Sequence, residues 1–478
     1  MTSRKLNIED TPSLNELQHN RTVDAPAGAC LAETLATFVV QAARGDLPPL
    51  ALERAKMSLA STIASAAAGV SIPSTRITRE IEIEAGGAPE AAVWFSSTRL
   101  PAHSAARVNA VASDAAASDD SDLRSIAHIG TIVSTSSMAV AQKLGLGGMP
   151  VLRAMVLGYE IAGRIDEALT PGRMQRGFHG SVSTVFGGAV AAGTLLSLDE
   201  AQMTQAIALA ATSIGGIAIA ADTSWAREYH AGLSAMLGLQ AALAAKRGFR
   251  AEPAVLDAPR GFLSAMNGQA VEDITRDLGT SWDIVTDMAI KLMPGGHPYH
   301  AIAEAAANAA IAGNVAAQDV DRIILSAAQL LSLHGPTHPT NLVEAAHSVV
   351  YFAAAAVADH GFRWEHIDPA KMADPAIRSL LDRVAIDPDP VPLPDRFPHR
   401  HGGTVTIVLK DGRRFSHTCR APLGSGPRGV EWRDVDAKYR RLMPLSGLGL
   451  QAIEASLASL HAFETLNEVS ALVRCLAR

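Results

Sequence analysis

Long runs of small apolar residues at helical spacing, punctuated by glycine and proline, constrain this chain more than any other feature. Residues 30–43 and 49–69 repeat apolar side chains with the helical period, Gly45 and Pro48 mark their join, and Gly69 ends the second run. The chain is 48% hydrophobic but only 4% aromatic. Its interior must therefore be filled by Ala, Leu, Val and Ile, which suits helices that approach each other through alanine faces. The same reading gives helices over 76–85, from Ala102, over 135–145, from Pro150 to Ala168, over 184–196 and over 198–211. A further helix, opened by His230, runs to Arg247 and is ended by Gly248. Residues 91–95 read as a brief strand. The fold class is mostly α.

The texture changes around Asp273. Residues 282–290 mix in β-branched side chains, and 291–300 crowd Pro294, Pro298, Gly295, Gly296, His297 and His300 together. A helix over 301–312, a strand over 322–326 and a helix over 341–360 follow. Next comes a hairpin over 405–416, with Asp411-Gly412 as a two-residue turn between alternating strands. From Val430 the pattern is helical again, with one helix started by Trp432 and Asp434 and another from about Gly449 to the end. Since single cores stop growing near roughly 250–300 residues, we expect a helical domain over 30–273, an α+β domain over 274–420, and a return to the helical domain over 421–478. No period of 20–50 residues suggests a solenoid.

Charge and cysteine usage remove several classes of function. A formal net charge of −7 without a long basic run offers nothing to nucleic acid or an anionic membrane. Cys30, Cys419 and Cys475 are too scattered for a Cys-x-x-Cys metal site or a disulfide framework, which fits a reducing cytoplasm. The polar N-terminal stretch over 1–29 lacks an apolar signal core and reads as a loose arm. No run reaches the roughly 18 uninterrupted apolar residues that a spanning helix needs.

Chemistry concentrates in Ser118-Asp-Asp-Ser-Asp-Leu-Arg-Ser-Ile-Ala-His128, a polar segment between two alanine-rich helices. A loop held by rigid core elements is a common home for catalytic groups, although short acids there also cap helices. Asp114 is the one acid that interrupts the apolar run before it. Tyr159 and Arg164 are polar positions in an otherwise apolar helix, where the planar guanidinium suits a carboxylate clamp or snorkels to the surface. His179 lies at a helix start, where the helix dipole favours the neutral imidazole that can accept a proton. Arg227 and His230 stand three apart and can share a helix face. Neither His297-Pro-Tyr-His300 nor His399-Arg-His401 has the helical spacing or the nearby thiolates of a zinc site, so neither a metal nor any other cofactor is expected.

The order of these motifs resembles the MmgE/PrpD family, which includes 2-methylcitrate dehydratase, cis-aconitate decarboxylase and iminodisuccinate epimerase. The resemblance runs through Ser118-Asp-Asp-Ser121 with His128, Gly158-Tyr-Glu and Arg164, Gly177-Phe-His179, His230-Ala-Gly232, and Lys291 with Pro294 and His300. It continues through Ala346-His-Ser-Val-Val-Tyr351, Pro422-Leu-Gly424, Trp432 and Lys438. It implies a large helical domain made from both chain ends, an inserted α+β domain, a cleft at their junction, and a homodimer. It also implies metal-independent chemistry on a di- or tricarboxylic acid, begun by proton loss next to a carboxylate. Such a carbon acid demands a base together with cations or donors for the growing charge. On this reading His128, His179, Lys291, Asp119 and Asp120 are the catalytic candidates. Ser121, Tyr159, Arg164, Arg227, His230, His297 and His300 are the substrate-binding ones.

Three departures from the family stand out. Ala117 replaces an acid two residues before the Asp pair, Ser121 replaces a common Thr, and Arg227 replaces the Lys of decarboxylase-like members. The expected activity is that of a lyase, most simply a hydro-lyase like 2-methylcitrate dehydratase. Its rivals are an epimerase of a substituted succinate, a decarboxylase, and an inactive carboxylate-binding homologue.

Overall fold

The computed structural model describes residues 28–124, 126–213, 215–268, 271–391, 393 and 401–478. The expected N-terminal arm lies outside the described residues except for its last two, and His399 lies outside them altogether. Two hydrophobic cores organise the chain. The larger runs from Leu31 to Ile290 and resumes from Val430 to Leu476; the smaller runs from Tyr299 to Cys419. Ile274, Leu278, Trp282 and Ile284 belong to the larger core, so the change of core falls at residues 291–298 rather than at the change of texture near Asp273.

The larger core is helix on helix. The helices Leu31–Arg44, Pro49–Gly69, Ala102–Ala115, Ile129–Leu144, Gly148–Leu169, Ser181–Leu195, Glu200–Ala210 and Ala226–Lys246 carry most of it. Small side chains set the distances: a Cβ on Gly158 would stand 2.6 Å from the Gly187 carbonyl oxygen, so these two helices touch through backbone. The returning helix Trp432–Leu442 lies on Pro49–Gly69, where the Trp432 indole donates to Glu53.

The smaller core packs helices His300–Gly313 and Val349–Ala358 with a four-stranded sheet. Its strand order is Val384–Ile386, Val320–Ser326, Gly403–Leu409, Arg414–Cys419, with the first pair parallel and the others antiparallel. Val405, Ile407 and Leu409 alternate into the core, as a half-buried strand requires.

Several boundaries differ from the sequence reading, each for a local reason. His230 does not open its helix, which begins at Ala226 and places the imidazole one turn inside. The helix expected over 341–360 is two, because Ser348 leaves helical geometry and its hydroxyl accepts from the Tyr351 N–H, restarting the coil. The hairpin turn has three residues between paired ends: Leu409 N–H donates to the Arg413 carbonyl, Gly412 N–H to that of Leu409, and Gly412 has φ +89. The last helix is broken into Leu450–His461 and Ser470–Cys475. Among the described residues no helix is long and apolar enough to cross a membrane.

Candidate functional site

The acidic loop is held where the two cores meet. The helix Ala102–Ala115 ends at buried Asp114 and Ala115, and Ala117 takes φ +51, turning the chain so that the next carboxylates face inward. Ser121 and Asp122 then pair with Met288 and Ala289 as a short antiparallel ladder. That ladder ties the loop to the connector carrying Lys291, and the loop ends at His128, which caps Ile129–Leu144.

An alternating row of charges results. His128 Nδ1 stands 2.7 Å from Asp119 Oδ2, to which it is hydrogen-bonded, and 2.8 Å from Asp114 Oδ1 in an ion-pair contact. Asp119 Oδ2 also accepts from Thr131 Oγ1 at 2.8 Å. Arg227 donates through Nε to Asp114 Oδ2 at 3.0 Å and through Nη2 to the Asp114 carbonyl at 2.6 Å. Lys291 Nζ donates to the Ala117 carbonyl at 3.4 Å and lies 3.7 Å from Asp119 Oδ1. The order is thus Arg227, Asp114, His128, Asp119, Lys291, with signs alternating along it.

The row separates the histidines by protonation. Burial pushes the His128 imidazole down, but Asp119 and Asp114 outweigh it and raise the group to about 9, so it is a cation at neutral pH. Burial would raise the Asp114 carboxyl, yet Arg227 and His128 hold it well below the usual range. His179 moves the opposite way from His128: burial, then the His128 charge, lower it well below its ordinary value. His297 is likewise lowered, by burial and by His300 and Lys291, and burial with Lys291 takes His300 to about 3. Lys291 itself is lowered by burial against the pull of Asp119.

The neutral imidazoles differ in what they can do. His179 Nδ1 accepts the Ser181 N–H at 3.3 Å, which leaves its proton on Nε2. Its ring lies 5.6 Å from that of His230, whose Nδ1 is buried without a partner. His297 Nδ1 and Ser121 Oγ share a hydrogen bond of 2.7 Å, while its Nε2 is buried and unpartnered, as is His300 Nε2. The His297 and His300 rings are 4.6 Å apart.

Asp120 turns away from His128. Its Oδ2 accepts from Ser58 Oγ at 2.7 Å, and a Cβ on Gly130 would meet that oxygen at 1.9 Å. Burial lifts its carboxyl to about 6 against the Ser58 hydrogen bond. Of these two candidate acids, Asp119 alone is hydrogen-bonded to His128. Tyr159 is sealed in the helical core with its hydroxyl unpartnered, and burial followed by Asp122 pushes that hydroxyl well above its usual value. Arg164 is not free to clamp a ligand: it pairs with Glu160 and donates to the carbonyls of Ile274, Arg276, Asp277 and Ser281.

Three residues absent from the sequence-derived site belong to it. Asp114 was visible only as the break in an apolar run. Lys438, on the returning helix, donates to Ser118 O and to Ser61 Oγ. His347, lowered to about 4 by burial and Arg227, comes from the α+β side. A crevice of about 10 Å³ bounded by Ala117, Arg227, Glu228, Leu342, Val343 and Ala346 lies alongside. That is room for about one water. A surface cavity of about 420 Å³ by Glu304, Arg420 and Arg428 lies elsewhere, on the smaller core.

Asp114, Asp119 and His128 bring donor atoms within 4.8 Å of one another, close enough to hold a cation. Their chemistry opposes one: Arg227 and Lys291 already neutralise the acids, and the His128 nitrogen facing both carries a proton that a metal must displace.

Comparison with known proteins adds to this geometry. The MmgE/PrpD N-terminal domain matches residues 33–274 and the MmgE/PrpD C-terminal domain residues 293–455. A cis-aconitate decarboxylase of Homo sapiens is 26% identical over 423 residues, 86% of this chain and 87% of that protein. That of Mus musculus is 26% identical over 79% of each chain. One from Aspergillus terreus is 27% identical over 57% of this chain and 58% of its own.

Proposed function

The chain belongs to the MmgE/PrpD family, and from that premise we propose that it is a lyase acting on a di- or tricarboxylate, most directly by decarboxylation. The observation that carries this reading is the cationic His128 beside imidazoles held neutral, under the positive field of Lys291 and Arg227. When a carbon–carboxylate bond breaks, CO₂ leaves and its bonding electron pair stays on carbon. That pair must be captured by a proton. His128, protonated on both nitrogens and fixed through Nδ1 by Asp119, is the donor through Nε2, and solvent restores its proton afterwards. The row holds three cations to two carboxylates, and its net positive charge offsets that of the substrate's carboxylates and of the developing carbanion. The names of the relatives favour this bond cleavage. Arg227 in place of a lysine makes the substrate's shape a matter for test, since a planar fork and a point charge place a carboxylate differently.

A second reading, loss of water from a hydroxy acid, is favoured by one observation. His297 can hold its proton on Nδ1 toward Ser121, which leaves a lone pair on the unpartnered Nε2 to take a proton from carbon while His128 protonates the departing hydroxyl.

The test is incubation with cis-aconitate and with hydroxylated di- and tricarboxylates in deuterated water, followed by NMR. Decarboxylation yields CO₂ and a product bearing one solvent deuterium, at the cleaved carbon of a saturated acid or at the far end of the allylic unit where a double bond takes up the electron pair, as in cis-aconitate; dehydration yields an unsaturated acid with no CO₂. Absence of both turnover and deuterium exchange across the whole panel sinks the lyase reading, and binding of these acids without either leaves a carboxylate-binding protein.

A further inference from the structure

We infer that Lys438 is a positioning residue for the site: by donating to the Ser118 carbonyl and to Ser61 it fixes the backbone from which Asp119 meets His128. Lys438 carries part of the family resemblance, but the helix Trp432–Leu442 is rich in charge and its sequence does not say which charges turn inward. Yet Val435, Lys438, Tyr439 and Leu442 are its buried residues, and their spacing of three and four puts Lys438 on the inward stripe. Only 2% of its surface is exposed.

Its surroundings form a frame. Nζ donates to Ser118 O and, at 2.7 Å, to Ser61 Oγ, and it lies 5.7 Å from the centroid of the Trp364 ring. Ser61 is on the helix Pro49–Gly69, and one turn earlier on that helix Ser58 holds Asp120 at 2.7 Å. The carbonyl preceding Ser118 O, that of Ala117, accepts from Gly295 N–H at 2.9 Å and from Lys291 at 3.4 Å. Two ammonium groups from opposite ends of the α+β insertion therefore grip consecutive carbonyls. The residue between them and the preceding helix, Ala117, sits at a positive φ that L side chains seldom adopt. A backbone held away from its preference keeps its place only while its neighbours over-determine it. Burial brings Lys438 down to about 7 against the attraction of Asp119 and Asp120, with Lys291 adding repulsion.

The inference rests on the site geometry, and its main test needs no substrate, so it stands or falls apart from the decarboxylase reading. The full chain, labelled with ¹³C at histidine Cε1, is titrated as wild type, K438M and K438R. The His128 signal is assigned by its loss in H128N. The groups facing His128 are Asp119, Asp114 and Lys291, with His179, Asp120 and His297 beyond, and all are retained in every Lys438 variant. In wild type His128 stays cationic from pH 6 to 8. Loss of positioning in K438M moves Asp119 off Nδ1 and lowers the His128 midpoint by about one pH unit or more, while K438R keeps it near the wild-type value. A cation acting only through space has the opposite sign, since its removal raises the midpoint, and a purely structural lysine leaves it unchanged. Either result in a folded K438M overturns the inference. Should K438M not fold, K438Q, which keeps an N–H donor on a shorter side chain, replaces it, with a smaller drop expected and an unmoved or raised midpoint again overturning the proposal. Where wild type turns over a substrate, K438M lowers kcat while leaving KM within about twofold, the pattern of a displaced proton donor.

Discussion

Two buried acidic clusters share the loop over 118–128, and they are partnered differently. On one side Asp114 and Asp119 flank His128, with Arg227 and Lys291 outside them. On the other, Asp122, Asp283, Asp287 and Glu160 gather beneath the loop with Arg124 and Arg164. Arg124 pairs with Asp287 and Glu167, Arg164 with Glu160, and Glu160 Oε2 accepts the Asp283 N–H at 2.8 Å. In that second cluster burial drives Asp122, Asp283, Asp287 and Glu160 upward, and their neighbours add to or oppose it. The lesson is in the cations. Arginine does not give up its proton in a protein, so the second cluster is a fixed scaffold. Histidine does, so the first can move a proton while the second keeps its loop in place.

Mutations at the two clusters should therefore separate chemistry from stability. The largest effect is expected at His128: H128N cuts turnover by about 10²–10⁴, the range typical of general acid–base groups, with the fold retained by thermal unfolding. An H128N enzyme with wild-type kcat removes His128 from the chemistry and collapses the contrast. In the scaffold, R164M leaves Glu160 buried without its ion pair and should lower folding stability by about 3–5 kcal/mol in a denaturant titration. The residual folded fraction should turn over normally. A stable R164M with a specific loss of kcat would show that the scaffold takes part in catalysis.

A third, somewhat smaller effect depends on pH. The His128 midpoint is raised from its ordinary 6.5 to about 9 in the folded state, so its contribution is complete below pH 6.5 and is lost as pH rises through 9. Integrated over that shift the loss is on the order of 3 kcal/mol. Asp120, raised from 3.8 to about 6, has the same sign in a lower window, its contribution fading between those two values. Thermal unfolding from pH 6 to 10 should fall more steeply for wild type than for H128N, and parallel curves would show that the two carboxylates do not stabilise the cation.

The sequence disclosed the helices well because their apolar spacing is a local property, as the near-coincidence of residues 49–69 with the observed helix shows. It also disclosed the loop carrying Asp119 and His128, whose polar density contrasts with its flanks. The partnering escaped it. Arg164 looked like a ligand clamp because nothing local reveals that the carbonyls of Ile274, Arg276, Asp277 and Ser281 converge on it from over a hundred residues away. Lys438 was among the residues that carry the family resemblance but was given no place in the site, because nothing local shows that it lies on the buried stripe of Val435, Tyr439 and Leu442. The hairpin loop was miscounted because Asp-Gly fits both a two-residue turn and the three-residue form that the strand register selects.

The larger core is drawn from both ends of the chain, and this has a consequence for birth at the ribosome. Domains tend to fold in the order in which they emerge, but here the first 290 residues leave the tunnel without Trp432–Leu442, the helix that covers Pro49–Gly69. The smaller core, complete once Cys419 is out, can settle sooner. Until Lys438 arrives, the Ser118 carbonyl lacks its donor. The nascent chain thus carries its acidic loop unfinished until Lys438 has emerged, and a chain cut short before Trp432 is left with a helical core that has an uncovered face and no assembled site.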